Sequence, residues 1–185
     1  MEYNYPNGGA PASYEHHYVN GTHPYPRAPH QYIALAARFQ GDKAETYPLF
    51  MTSRAGSLVY DRLFPGPYFE AAAEIGSQIA RSNFPAENCV QTGPRELSFY
   101  VGHKYRSGGN HLRRYSLRLD GFVAVSPTNG VGELLTKPLA FAGDRLTLNY
   151  AARTNGKLRV EIRHADGARV TGYALADAVP LTGDE

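Results

Sequence analysis

The sequence predicts an all-β protein, and the clearest sign of this fold class lies in the C-terminal half. Segments 146–150 and 158–162 alternate apolar with polar side chains, which is the pattern of antiparallel strands with one buried face. Between them lies Asn155-Gly156, a dipeptide that favours a type I′ hairpin turn because both residues tolerate a positive φ. Two such segments and their turn predict a half-buried antiparallel hairpin.

The hairpin belongs to a longer run of strand and turn signals. Apolar stretches at 122–126 and 133–141 precede it, and a second turn dipeptide, Asp166-Gly167, follows it. Short strands separated by turn residues are typical of β-sandwiches. We therefore predict a small antiparallel β-sandwich over residues 112–185 and expect it to be the best-ordered part of the chain.

The middle of the chain, residues 32–111, is predicted to be a second β-rich region. Strands are predicted at 32–39, 49–53 and 97–101, where short apolar runs are bounded by turn residues. The segment 69–81 has the one convincing helical pattern, since it is rich in alanine and repeats isoleucine on one face. We therefore expect strands with one short helix.

Residues 1–31 differ in composition from the rest of the chain. They contain five tyrosines, five prolines and four histidines but almost no aliphatic residue, so they cannot bury much aliphatic surface and are predicted to be irregular. The histidines lack the i, i+4 spacing of a helical zinc site, and prolines interrupt them. The sequence therefore predicts no metal site and no cofactor.

The charge and composition of the chain argue against some classes of binding partner. The net charge is +2 and the 19 basic residues are scattered, which argues against nucleic acid. No stretch approaches the roughly 18 apolar residues of a membrane span, and a secretory signal is not recognisable. We therefore expect a soluble, cytoplasmic chain with no membrane partner. The single cysteine, Cys89, is interpreted as a small semi-buried hydrophobic residue rather than a catalytic thiol.

Seven phrases, taken in order, resemble one group of proteins. They are YPRAPHQYIALAARF (25–39), FMTSRAG (50–56), SNFP (82–85), QTGPRELSFYV (91–101), LRRYSLRLDGFVAV (112–125), GELLTKPLAFAGDRLTLNY (132–150) and RVEIRHADGARVTGYALADAVPLTGDE (159–185). In this order they resemble the C-terminal portion of uncharacterised bacterial proteins described as similar to five-bladed β-propeller glycoside hydrolases, the architecture of glycoside hydrolase families 32 and 43.

The resemblance implies both an architecture and a functional class. It implies that 32–111 supplies the last strands of a partial propeller and that 112–185 is the sandwich that follows. The relatives continue past the equivalent of Glu185 with a tryptophan-containing strand and a final strand, and this chain has no tryptophan. A sandwich without its last strand or strands, and a carbohydrate-related function, are therefore expected. The open edge of such a sandwich would favour self-association, or binding of a partner chain that supplies the missing strands.

Glycoside hydrolysis generally needs two carboxyl groups that flank the scissile bond. Glu96 is the candidate catalytic acid, because it lies among hydroxyl-bearing residues just before a predicted strand; an ion pair with Arg95 or another arginine is the alternative. Asp61, the second carboxylate of this region, is interpreted as half of an exposed pair with Arg62. With one candidate acid, the isolated chain is not expected to be catalytic.

Arg27, His30 and Arg54 are the candidate substrate-binding residues. Guanidinium groups and flat rings suit sugar hydroxyls through bidentate hydrogen bonds and stacking. Structural salt bridges and hydrogen bonds are the alternative role for these side chains. Two other functions remain open for the chain: a carbohydrate-binding or protein-interaction β-sandwich module, and a glycosidase completed by a partner chain or an oligomer.

Overall fold

The computed structural model describes residues 2–4, 15–40, 45–64, 66–69, 83–104, 109–153 and 155–185. The chain divides into two compact units, Met1–Leu119 and Asp120–Glu185. Throughout the described ranges the regular elements are β-strands, which confirms the all-β prediction. No helix in these ranges is long and apolar enough to cross a membrane.

Six strands of the first unit form one sheet. They are β1 (Glu2–Asn4), β2 (Glu15–His17), β3 (Thr22–Tyr25), β4 (Ala28–Gln40), β5 (Glu45–Arg54) and β6 (Val59–Asp61). Their spatial order is β1-β6-β5-β4-β2, and β3 also pairs with β4. The β1–β6 pair is parallel, and the other pairs are antiparallel. The long β4 therefore carries β5 on one edge and both β2 and β3 on the other.

The β4–β5 hairpin is the longest ladder of this sheet. It contains ten consecutive residue pairs, and residues 33–37 of β4 are all buried. Burial on both faces explains why this strand reads in the sequence as a continuous apolar run rather than as an alternation. The predicted strands 32–39 and 49–53 lie inside the hairpin and are confirmed.

One face of the hairpin carries a hydrophobic core. Ala34 and Ala36 of β4 lie opposite Met51 and Leu49 of β5, and all four are buried in a cluster with Tyr60 of β6. Burying an aliphatic side chain the size of leucine or methionine stabilises a fold by roughly 1.5–3 kcal/mol relative to leaving it exposed. The cluster therefore holds three neighbouring strands together.

Four further strands of the first unit form a second sheet. They are β7 (Phe84–Pro85), β8 (Val90–Gly93), β9 (Glu96–His103) and β10 (His111–Arg118). The central strand is β9, with β10 on one edge and both β7 and β8 on the other. The predicted strand 97–101 lies within β9 and is confirmed. Because β10 belongs to the first unit, this unit ends at Leu119.

The N-terminal segment is more regular than its composition predicts. An irregular segment is expected over 1–31, whereas β2, β3 and the start of β4 lie within its described part. The reason is that ladder hydrogen bonds join backbone groups and need no aliphatic side chain. Aromatic side chains supply the packing instead: Tyr25 is buried, and Tyr18 stacks on Phe39 with ring centroids 5.0 Å apart.

The second unit is less regular than predicted. Its described residues carry isolated antiparallel bridges instead of ladders, at Ala151↔Asp184, Leu158↔Leu181 and Arg163↔Arg169. The stretches 122–126 and 133–141, predicted as strands, are not strands. The sandwich therefore stays a prediction for this region.

The predicted hairpin around residue 155 takes a different form. Asn155 has a φ of 66°, but Gly156 lies outside the positive-φ region, whereas a type I′ turn needs a positive φ at both positions. Tyr150 exchanges two backbone hydrogen bonds with Glu185, and Leu158 exchanges two with Leu181. The turn therefore does not align the two alternating segments with each other, because each bonds to the last residues of the chain.

The turn at Asp166-Gly167 is confirmed. Gly167 has a φ of 89°, and Asp166 Oδ1 accepts a hydrogen bond from the Ala168 N–H at 2.9 Å. The His164 N–H donates to the Ala168 carbonyl at 2.8 Å, and the Gly167 N–H donates back to the His164 carbonyl at 2.9 Å. A short polar side chain and a glycine thus close this turn as their chemistry predicts.

The predicted helix at 69–81 lies outside the described residues, apart from Phe69. The ring of Phe69 packs against Phe99 and Tyr115, with centroid separations of 5.5 and 4.4 Å. This contact joins the chain that follows the first sheet to β9 and β10 of the second.

Candidate functional site

The second sheet has one apolar and one polar face. In the β9–β10 ladder the odd-numbered residues of β9, such as Phe99 and Val101, are buried. The even-numbered residues of the two strands share the opposite face. This polar face consists of Glu96, Ser98, Tyr100, Leu112, Arg114, Ser116 and Arg118, with Gly102 at its end.

A β-bulge adds Thr92 to the polar face. The register between β8 and β9 shifts between Gln91 and Gly93, and a bulge re-aims the side chains beside it. The Thr92 hydroxyl donates to Glu96 Oε1 at 2.7 Å and lies 2.7 Å from Ser98 Oγ. Because a hydroxyl carries a single proton, Ser98 must be the donor to Thr92. Ser98, Thr92 and Glu96 therefore form a hydrogen-bond chain with one direction.

Arg114 completes the surroundings of the Glu96 carboxylate. Its Nη1 lies 3.5 Å from Glu96 Oε1, so a hydroxyl and a guanidinium converge on the same oxygen. An ion pair with an arginine, the alternative raised by the sequence, is thus the arrangement found. Both side chains are about half exposed, and exposed pairs contribute only about 0–1 kcal/mol to stability. The pair is therefore accessible to a ligand and adds little to the stability of the fold.

The geometry around Glu96 suits binding better than acid catalysis. A general acid must present a proton to the leaving group, whereas Glu96 Oε1 accepts a hydrogen bond from the Thr92 hydroxyl and pairs with Arg114. The second candidate carboxylate, Asp61, lies in β6 of the first sheet. The structure therefore places the two candidate carboxylates in different sheets.

The interpretation of Asp61 and Arg62 as an exposed pair is wrong for Arg62, which is buried. Asp61 is exposed at the end of β6, but Arg62 is buried, and its Nε donates to the Phe64 carbonyl at 3.0 Å. Successive side chains of an extended chain point to opposite sides, so neighbours in the sequence have different environments.

The three predicted binding residues lie at one end of the first sheet. Arg27 lies in the turn between β3 and β4, His30 near the start of β4, and Arg54 at the end of β5. The Ala55 N–H donates to the His30 carbonyl at 2.9 Å, which keeps the end of β5 beside β4. All three residues are exposed. The structure thus brings Arg27, His30 and Arg54 to the same end of a sheet that does not contain Glu96.

Arg114 is the site residue that sequence reasoning missed. The signal that could have identified it is the pairing of β9 with β10, which places Arg114 directly opposite Tyr100. Once the hairpin register is known, alternation assigns Arg114 and Arg118 to the face of Glu96.

Stacked rings fill the apolar face behind this site. Phe99 and Tyr115 pair across the ladder with centroids 5.6 Å apart. The Tyr115 hydroxyl lies 3.0 Å from Nε2 of the buried His103, which in turn stacks on His111 at 5.4 Å. Aromatic pairs across an antiparallel ladder stabilise it. They therefore fix the register that positions the polar face.

Comparison with known proteins adds no family assignment. No protein-family model matches the chain, and no curated protein or solved structure matches it either. The resemblance to propeller glycoside hydrolases stays a prediction that rests on the phrases quoted above.

Proposed function

We propose that the chain binds carbohydrate without hydrolysing it, as the C-terminal part of a glycoside-hydrolase-like propeller protein. The observation that carries the proposal is the half-exposed pair of Glu96 and Arg114 on the polar face. A carboxylate accepts hydrogen bonds from sugar hydroxyls, and a guanidinium donates to them. The pair therefore offers both hydrogen-bonding functions side by side.

Tyr100 adds a flat apolar surface to the same face. It lies directly opposite Arg114 in the ladder and is partly exposed. A sugar ring presents C–H groups as well as hydroxyls, and an amphipathic aromatic ring covers the former while its own hydroxyl stays in water. The hydrogen-bond chain from Ser98 through Thr92 holds Glu96 in place, which reduces the entropy lost on binding.

Calorimetric titration against a panel of mono- and oligosaccharides tests this proposal. Glu96→Gln keeps the shape of the side chain and removes its charge, so we expect at least a tenfold loss of affinity, about 1.4 kcal/mol. Glu87→Gln is the matched control, because it removes an exposed carboxylate from the loop between β7 and β8. Equal affinity in the wild type and Glu96→Gln would contradict the assignment to the polar face.

The end of the first sheet is the competing location for the sugar. A double variant, Arg27→Ala with Arg54→Ala, removes two exposed cations from that end. We expect it to retain binding. Loss of binding in the double variant, with full affinity in Glu96→Gln, would move the site to Arg27, His30 and Arg54.

Catalysis is tested separately with a broad panel of aryl glycosides. We expect no turnover above background, because hydrolysis requires two carboxyl groups and Glu96 and Asp61 lie in different sheets. Turnover that disappears in Glu96→Gln would overturn this expectation and favour the glycosidase alternative.

A protein-interaction role is the second candidate, and the apolar surface of the second unit favours it. The large hydrophobic residues exposed there are Val123, Val125, Val131, Leu134, Leu135, Leu139, Phe141, Leu146, Leu148, Leu158, Ile162, Tyr173, Leu175 and Val179. Monomeric proteins rarely expose extended apolar patches. We propose that a second copy of the chain covers part of this surface. Sedimentation equilibrium is expected to show dimers or larger species as concentration rises, and a monomer at every concentration would exclude the idea.

A further inference from the structure

Two reactive side chains meet inside the first unit. Cys89 lies in the loop between β7 and β8, and His23 lies in β3. The distance from Cys89 Sγ to His23 Nε2 is 3.9 Å, and the exposed fractions of the two residues are 3% and 6%. The contact therefore joins a loop of the second sheet to a strand of the first, within a buried environment.

The backbone fixes the tautomer of His23. Its Nδ1 lies 3.0 Å from the Gly21 carbonyl oxygen, and a carbonyl oxygen only accepts, so Nδ1 carries the proton. Nε2 then holds a lone pair, and the atom it faces is the Cys89 sulfur. Metal-binding histidines have this arrangement, in which one ring nitrogen donates to a carbonyl or carboxylate and the other binds the metal.

Both ends of the pair are positioned by residues with a positive φ. Gly21 has a φ of 60°, and a Cβ added there would lie 2.7 Å from the Leu35 carbonyl oxygen, so only glycine fits. Asn88 has a φ of 74°, and its Oδ1 accepts the Cys89 N–H at 2.7 Å. The carbonyl that orients His23 and the backbone that carries Cys89 are thus both held in place.

We propose that Cys89 and His23 form a two-ligand site for one monovalent thiophilic metal ion, Cu(I). Thiolate and imidazole are ligands that suit copper, and soft thiolates select its monovalent state. With bonds as long as those of zinc, about 2.3 Å to sulfur and about 2.0 Å to nitrogen, the observed separation of 3.9 Å corresponds to an angle of about 130° at the metal. That angle lies between the trigonal and linear geometries of low-coordinate d¹⁰ ions.

The number of ligands distinguishes this ion from zinc. Structural zinc sites are almost always four-coordinate, and the described ranges contain no group of three or more His, Cys, Asp or Glu residues arranged to hold a metal. A site with two donors therefore fits an ion that accepts two or three ligands. Hard cations such as Mg²⁺ are excluded as occupants because they require oxygen ligands.

Binding replaces one proton and transfers no electron. The S–H bond of Cys89 breaks, the sulfur bonds to the metal, His23 Nε2 supplies the second bond from its lone pair, and the thiol proton leaves to water. The metal therefore displaces one proton from the site when it binds. Among the described strands β3 pairs only with β4, and local opening of this edge strand is the expected route of entry for the ion.

Competition with a chromophoric Cu(I) chelator under anaerobic reducing conditions tests the site. The wild-type chain is expected to withdraw one equivalent of Cu(I) from the chelator. Cys89→Ser keeps the size of the side chain and removes the soft ligand, so we expect at least a hundredfold loss of affinity. His23→Gln is expected to lose at least tenfold. Cys89→Ser with wild-type affinity would overturn the proposal.

The N-terminal histidines supply the matched control. His16→Gln combined with His17→Gln is expected to retain wild-type affinity, and loss in this variant with retention in Cys89→Ser would place the ion at the terminal histidines instead. If a Cys89 or His23 variant does not fold, copper K-edge absorption of the wild-type complex decides. One sulfur and one imidazole nitrogen around the metal are expected, and a shell without sulfur would reject the site.

Discussion

Apolar residues in strand-like segments are buried in one unit of the chain and exposed in the other. In the β4–β5 ladder of the first unit, residues 33–37 and 48–51 are buried, and Leu49 exposes 0% of its surface. In the second unit Leu146 exposes 65% and Val131 exposes 92%, although Leu146 belongs to a clear alternating pattern. The backbone explains the difference, since the first unit has continuous ladders and the second has isolated bridges.

Alternation of apolar and polar residues specifies which face of a strand is apolar, but it does not specify the strand's partner. An apolar face becomes buried when a neighbouring strand completes the ladder and another layer covers the side chains. The β4 strand finds β5 after a connection of four residues, 41–44. The segments near Tyr150 and Leu158 bond instead to the last residues of the chain, which leaves their apolar side chains exposed.

Two leucine truncations, one in each unit, are expected to differ most in stability. Leu49→Ala empties a buried position of the first unit and is expected to lower the free energy of unfolding by about 2–5 kcal/mol. Leu146→Ala, the matched change at an exposed position, is expected to stay within about 0.5 kcal/mol of wild type. Guanidinium unfolding followed by circular dichroism measures both. Equal losses would show that Leu146 is buried in solution.

The next effect concerns the glycine that orients His23. Gly21→Ala combines a positive φ with a close approach to the Leu35 carbonyl, so a loss of stability on the order of 1–3 kcal/mol is expected. Gly56→Ala is the control, because its φ is 81° and nothing lies within 4 Å of the added Cβ. We expect a smaller loss of about 1 kcal/mol there. If the two variants lower the melting temperature equally, the Leu35 backbone must move to make room for the added Cβ at position 21.

A smaller effect appears at alkaline pH in the first unit. Burial raises the pKa of Tyr68 from 10.0 to about 12, and its ring stacks on Phe50 at 4.9 Å. As the pH rises, the unfolded chain therefore loses the Tyr68 proton before the folded chain does. The contribution of Tyr68 to the free energy of unfolding is fully present below pH 10.0 and is lost as the pH rises towards about 12. Tyr68→Phe is expected to flatten this slope. An unchanged slope, measured by unfolding at each pH, would exclude Tyr68 as its source.

The smallest effect lies at acidic pH in the second unit. The hydrogen bond from Arg163 lowers the pKa of Glu161, and the Leu175 N–H also donates to this carboxylate. Its contribution is present above the ordinary glutamate pKa and is lost as the pH falls through the lowered value. Glu161→Gln is expected to weaken the acid dependence, because it removes one carboxyl group whose pKa differs between the folded and the unfolded chain. Asp144→Asn, at an exposed position, is the control that should leave the profile unchanged.

The sequence predicts the elements of this fold better than their partners. The strands β4, β5 and β9 were predictable because their apolar runs reflect burial of the side chains themselves. The strand β3 was not, because its composition is polar and aromatic and its pairing depends on the edge of β4. Contacts between distant residues were also hidden: Arg114 reaches Glu96 only through the β9–β10 register, and Cys89 meets His23 across two sheets.

The β4–β5 hairpin has a consequence for the order of folding. Its strands are joined by four residues, so closing it costs little chain entropy, whereas the parallel β1–β6 pair joins Glu2 to Val59 and must wait for that closure. The hairpin is therefore expected to form first. The outer edge of β4 is then available to pair with β2 and β3. The N-terminal strands precede β4 in the sequence, but we expect them to dock last, so that β3 brings His23 to Cys89 only after β4 has formed.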